Sequence, residues 1–163
     1  MTGESYRACA AWLGKTPRRA SFFRCLFRLL PLVDAAAYLG TAAFLVITSW
    51  PGRWKFLLIP AVTFLLVSLL RRALNRPRPY DRLGYTPFLP AEPGKGKSFP
   101  SRHTASAAAI ACAFGFLSPA AGAAAGVLAL AIGASRVIGG AHYLGDVLGG
   151  LLFPLPFALL YLL

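Results

Sequence analysis

Apolar stretches close to twenty residues long follow one another through most of this 163-residue chain, separated by arginines, prolines and glycines. That pattern constrains the fold more than any other feature. A run of about 20 apolar residues matches the hydrocarbon thickness of a bilayer when helical, and a soluble domain of this size has too little interior to bury five of them. The spans read as Leu32–Trp50, Trp54–Leu74, Ser101–Leu117, Ala120–Ile138 and Leu144–Leu163, the third short and rich in alanine. A mean hydropathy of +0.62 agrees. Lipid offers backbone groups no hydrogen-bond partners, so the spans must be helices. The expectation is one all-α polytopic membrane bundle over residues 1–163, with five spans, or six if the N-terminal segment also crosses.

Residues 5–30 alternate Arg7, Lys15, Arg18, Arg19, Arg24 and Arg28 with Trp12, Phe22, Phe23, Leu26 and Phe27, which predicts an amphipathic helix lying in the interface. They lack the clean apolar core and cleavage site of a signal peptide. Small residues in the third and fourth spans, among them Gly122 and Gly126, let helices approach closely. Residues 75–100 form a Pro/Gly-rich loop carrying Arg76, Arg78, Arg82, Lys95 and Lys97.

The formal charge of +12 comes from 17 basic against 5 acidic residues. The basic residues sit between apolar runs, without the aromatic interleaving of a base-stacking surface, so nucleic acid is not the expected partner. Anionic lipid headgroups and phosphate substrates fit the pattern better. Cys9, Cys25 and Cys112 have no metal-ligand spacing, and their odd number does not complete a disulfide framework.

The polar residues gather at the span ends. Arg71, Arg72 and Arg78 leave the second span; Ser101, Arg102 and His103 enter the third; Ser135 and Arg136 leave the fourth; His142 and Asp146 enter the fifth. With alternating direction all these ends face one side of the membrane, although they are spread over 75 positions. Ionisable groups at span edges are functional candidates, because lipid exposure costs several kcal/mol. A pocket of arginines and histidines against one carboxylate repels itself unless it holds a highly charged anion, and phosphate is the obvious one. Ser101 follows Pro100 and is placed to cap the third helix, aiming backbone N–H groups at such an anion. Arg72 and Arg76 read as cations snorkelling to headgroups, Tyr143 as an interfacial anchor, and Asp34 has no evident role.

Arg71, six residues, then Arg78-Pro79; Pro100-Ser101-Arg102-His103; and Ser135-Arg136, five residues, His142, three residues, Asp146 resemble the three signatures of the type 2 phosphatidic acid phosphatase superfamily, which includes membrane lipid phosphatases and vanadium haloperoxidases. Two positions depart: Arg71 stands where the family usually has Lys, and Arg102 where it has Gly. The resemblance implies that His142 attacks phosphorus to form a phosphohistidine, that Asp146 fixes its tautomer, and that His103 protonates the leaving oxygen and then activates water. It further implies that Arg71, Arg78, Ser101, Arg136 and, at the rim, Arg102 bind phosphate.

No cofactor or metal is expected, since Glu4, Asp34, Asp81 and Glu92 are too scattered for a two-metal site. The implied substrate is a phosphorylated membrane lipid of the undecaprenyl diphosphate, phosphatidylglycerophosphate or phosphatidic acid type. The alternatives are a lipid phosphotransferase with the same chemistry and a non-catalytic membrane scaffold. The family implies a bacterial cytoplasmic-membrane protein whose site faces outward, whereas five-span parity and the positive-inside rule point it inward.

Overall fold

The structure, a computed structural model, describes residues 1–90 and 92–163. Its helices are α1 (Gly3–Leu13), α2 (Pro17–Ile47), α3 (Arg53–Leu74), α4 (Pro79–Leu83), α5 (Arg102–Leu117), α6 (Pro119–Ile138), α7 (Leu144–Leu152) and α8 (Leu155–Ala158), followed by a 3₁₀ turn at Leu159–Tyr161. Among the described residues there is no strand. Four segments are long and apolar enough to cross a membrane: Pro17–Ile47, Arg53–Leu83, Pro119–Ile138 and Leu144–Tyr161. The 16-residue α5 falls short of that length. The exterior is oily, with Leu39, Phe44, Ile47, Leu58, Leu65, Val127, Leu130 and Leu159 all exposed. This is an integral membrane helical bundle.

α5 explains the alanines. It packs against α2, α3, α6, α7 and α8, and Ala105, Ala107, Ala108, Ala109 and Ala113 are all buried. A helix surrounded on every side leaves room only for small side chains. Gly115 and Gly122 meet backbone to backbone across the α5–α6 contact, whereas a side chain at Gly126 would have open space. The GxxxG spacing is therefore half used.

Two expectations are corrected. The first span does not begin at Leu32: α2 runs unbroken through Pro31 for 31 residues, about 46 Å at 1.5 Å per residue. The basic N-terminal segment is thus two pieces, α1 and the start of α2, joined at residues 14–16. Thr2 and Thr16 cap them by accepting from the Ser5 and Arg19 amides, with Pro17 at the favoured first position of α2. The last span, Leu144–Tyr161, is interrupted only at residues 153–154, where Phe153 and Pro154 keep right-handed helical dihedrals between α7 and α8.

Pro31 is tolerated because its helix defect is filled. Proline has no N–H, so the carbonyl four residues back loses its helical partner. For Pro31 that carbonyl is Phe27 O, and Arg136 Nη2 from α6 donates to it at 2.8 Å. Pro60 in α3 frees Phe56 O in the same way, and Tyr38 Oη from α2 donates to it at 3.2 Å. Each proline has become a docking point for another helix.

Candidate active site

At one end of the bundle α3, α5, α6 and α7 present the polar ends expected from sequence. A cavity of about 680 Å³ opens there, lined by Arg71, Arg78, Arg102, Arg136, His103 and His142, with α2 closing one side through Phe27 and Pro31. Seven of the eight predicted residues are thereby brought together, Asp146 lying behind His142. Ser101 stands apart from the cavity wall. It is fully buried at the N-cap of α5, its N–H donates to Asp146 O at 2.8 Å, and its Oγ accepts from Thr104 Oγ1 at 3.0 Å.

The turn before α7 positions His142. Gly140 sits at φ +78°, a left-handed conformation that closes α6 and that side chains rarely adopt. The amides of Ala141 and His142 both return to Arg136 O, at 2.9 and 3.2 Å. Every outward carbonyl of this turn except that of Ala141 is taken from elsewhere: Leu89 N donates to Gly139 O at 3.0 Å, Tyr85 Oη to Gly140 O at 2.8 Å, and Tyr6 Oη to His142 O at 3.1 Å. Tyr6 and Tyr85 stack with centroids 5.0 Å apart and planes 7° from parallel. The N-terminal helix α1 thus braces the histidine's backbone through Tyr6.

Asp146, in the first turn of α7 where the helix dipole favours negative charge, is 0% exposed. It accepts from four donors. His142 Nδ1 lies 3.4 Å from Oδ2, and Tyr143 N donates to Oδ2 at 3.0 Å. Ser98 Oγ also donates to Oδ2, and Arg76 Nη1 donates to Oδ1 at 3.1 Å. With the carboxylate on Nδ1, the network assigns the proton there and leaves Nε2 of His142 bare toward the cavity. Burial holds the His142 imidazole below its ordinary value, Arg78 and Arg71 act the same way, and the Asp146 hydrogen bond opposes them.

Arg76 and Ser98 were not among the sequence candidates. Arg76 does not snorkel; it pairs with Asp146 and lies over the Tyr143 ring, 4.8 Å from its centroid. Its backbone O accepts from Ser98 N at 2.8 Å, so the two ends of the 75–100 loop are tied together at the carboxylate. The one available signal was the Arg76-Pro77-Arg78-Pro79 run, in which prolines stiffen the arginine's backbone.

The other arginines are held by backbone oxygens. Arg71 donates to Ser98 O at 3.3 Å and to Pro100 O, and Arg78 Nε to Gly96 O at 3.3 Å. Arg102 extends over Phe64, its guanidinium carbon 5.6 Å from the ring centroid. Arg136 Nε is buried without a partner among the described residues. An orphaned buried donor beside a cationic cavity suits an anion that it would bind. Among the described residues no three His, Cys, Asp or Glu side chains come together as metal ligands.

Fold and site together define a polytopic helical membrane protein with a histidine–carboxylate pair facing an arginine-lined anion pocket. Comparison with known proteins places it more narrowly. The chain belongs to the PAP2 superfamily, whose profile matches residues 52–163. It is 38% identical over 117 residues to a lipid A 1-phosphatase of Rhizobium etli, and 37% identical over 117 residues to one of Rhizobium johnstonii, matching 69% of this chain in each case. It spans about half of those relatives, 49% and 47% of their lengths. The fold is similar to the crystal structure of Aquifex aeolicus LpxE, with a TM-score of 0.72 and 25% identity over 98% of this chain and 93% of that one. It also resembles the first transmembrane PAP2 type phosphatidylglycerolphosphate phosphatase from Bacillus subtilis, with a TM-score of 0.71 and 24% identity over 98% and 81%.

Proposed function

We propose that this protein is an integral membrane lipid phosphatase that works through a phosphohistidine on His142. The observation that carries the reading is the pairing of a bare His142 Nε2, set by Asp146, with His103 across one arginine-lined cavity at the end of a membrane bundle. A phosphoryl group seated among Arg71, Arg78 and Arg136 would have its equatorial oxygens neutralised where charge spreads in the transition state. His142 Nε2 attacks phosphorus as the bond to the lipid oxygen breaks, and His103 delivers a proton to that oxygen. Asp146 stabilises the imidazolium. Water then attacks the phosphohistidine, His103 takes its proton, and inorganic phosphate leaves.

Ser101 acts here through the fold. Its bonds to Asp146 O and Thr104 fix the start of α5, so His103 is correctly placed and the first α5 amides, which lack helical partners, remain available to the anion. The substrate is a phosphate ester or diphosphate on a lipid. The Rhizobium relatives favour a glycolipid 1-phosphate of the lipid A kind, with phosphatidylglycerophosphate, undecaprenyl diphosphate and phosphatidic acid as the comparison set. The site faces outward from the cytoplasmic membrane, its surplus arginines serving the pocket rather than setting topology.

Phosphate release from a panel of these lipids tests the reading. Wild type should release phosphate in EDTA, and His142→Ala should not; acid-labile phosphate should appear on wild type but not on that variant. Activity that returned only with a divalent ion, or that survived His142→Ala, would overturn it. Transfer of phosphate to an added alcohol in place of water would make the enzyme a phosphotransferase. A membrane-impermeant maleimide should label Lys95→Cys from outside intact cells in a background lacking Cys9, Cys25 and Cys112.

A further inference from the structure

Resting on the lipid phosphatase reading, we infer that Arg24 and Arg28 of α2 form a second anion subsite at the mouth of the reaction cavity, selecting headgroups that carry a second negative group. Arg28 lines the reaction cavity itself. It also lines, with Arg24, an adjoining groove between α2 and residues 86–90. Residues 24 and 28 share one helix face, with Pro31 and Leu32 carrying that stripe into the cavity. Their register against the site is fixed by the neighbouring residue, because Arg136 grips Phe27 O.

Neither guanidinium is occupied. Among the described residues, neither Arg24 nor Arg28 makes a hydrogen bond or ion pair to protein; Arg24 only lies over Phe88, 5.3 Å from its centroid. Glu92, the carboxylate lining this cavity, is paired with Lys95 at 3.1 Å. Four residues of helix separate the two arginines by about 6 Å along the axis, a span that suits a second phosphate, phosphodiester or carboxylate on the same headgroup. Both residues lie outside the stretch matched by the family profile, residues 52–163. The arginine pair is thus set by α2, whereas Arg71, Arg78, Arg102 and Arg136 of the reaction cavity fall within the matched stretch.

The test uses purified full-length protein in mixed micelles. It compares kcat/KM for phosphatidic acid, which has one phosphate, with that for phosphatidylglycerophosphate, which has a phosphomonoester and a phosphodiester. Wild type should favour the doubly anionic lipid, and Arg24→Gln/Arg28→Gln should lower that ratio about tenfold, the effect of one charge-assisted contact. Arg72→Gln removes an exposed cation that does not line the cavity, and should not change the ratio. Calorimetry on His142→Ala protein gives a readout independent of turnover. Propane-1,3-diol bisphosphate should bind several-fold tighter than its monophosphate, and the arginine double substitution should erase the difference. Equal affinities, a ratio unmoved by the double variant, or an equal response to Arg72→Gln would overturn the subsite. If no lipid is hydrolysed, a lipid A-type glycolipid 1-phosphate included, while the bisphosphate preference persists, the phosphatase reading fails and the subsite stands.

Discussion

Asp146→Asn separates a positioned nucleophile from a merely well-packed histidine. The substitution keeps the shape but removes the charge, and it turns one of two acceptor oxygens into a donor. Three of the four donors, from Ser98, Tyr143 and His142, converge on Oδ2, so the amide oxygen should settle there and leave its NH₂ facing Arg76. In the proposed mechanism, attack on phosphorus makes His142 an imidazolium 3.4 Å from the carboxylate. At an effective dielectric of about 20 that attraction is about 5 kcal/mol. The neutral ring already enjoys a hydrogen bond in the ground state, so about 3–5 kcal/mol should be specific to the transition state. That corresponds to a fall in kcat of roughly two to three and a half orders of magnitude. KM should move little, since Asp146 lies behind the histidine. Phosphate release from micellar lipid measures both constants, and a thermal melt checks the fold. A kcat within tenfold of wild type would refute the reasoning, and an effect confined to KM would reassign Asp146 to substrate binding.

Arg76→Ala should lower kcat by about tenfold and raise the pH of the acid limb, because the carboxylate loses a counter-charge and makes His142 more basic; Arg76→Lys should restore much of both. Ser98→Ala should reduce kcat by a smaller factor, measured in the same assay. Burial holds His142 below its ordinary value, so the attacking ring stays neutral as pH falls past about 6.5; the acid limb of kcat/KM should lie below that pH, and a limb above it would contradict the assignment. Tyr85→Phe removes the hydrogen bond to Gly140 O and should cost about 1 kcal/mol of stability, read as a lower melting temperature in detergent.

The candidate site was legible in the sequence as a place because its polar residues are concentrated in short blocks at helix ends. Arg71, Arg78, Arg102, His103, Arg136 and His142 could be gathered by alternating span direction alone, and the structure sets all six around one cavity. Arg76 and Ser98 were missed because their roles depend on how the 75–100 loop folds back over Asp146, which spacing does not encode. Ser101 was placed at the correct cap, but its inward orientation follows from Thr104 and the Asp146 carbonyl, contacts invisible in a linear reading. The start of the first span at Leu32 missed the continuity of α2 through Pro31 for a related reason. Proline signals a helix end unless something else takes the released carbonyl, and here that donor is Arg136, more than a hundred residues away.

The two filled proline gaps also bear on how the chain is made. A carbonyl open to hydrocarbon costs several kcal/mol, so each helix with an internal proline is unfinished until its partner arrives. Phe56 O can be satisfied as soon as α2 and α3 have emerged, because Tyr38 is already present. Phe27 O must wait for α6. Early insertion thus yields a stable α2–α3 pair with one vacancy near its end. The arrival of Arg136 closes that vacancy and sets a further guanidinium beside Arg71, Arg78 and Arg102, so the backbone of α2 is completed in the same event that gathers the cavity's arginines, before α7 brings Asp146.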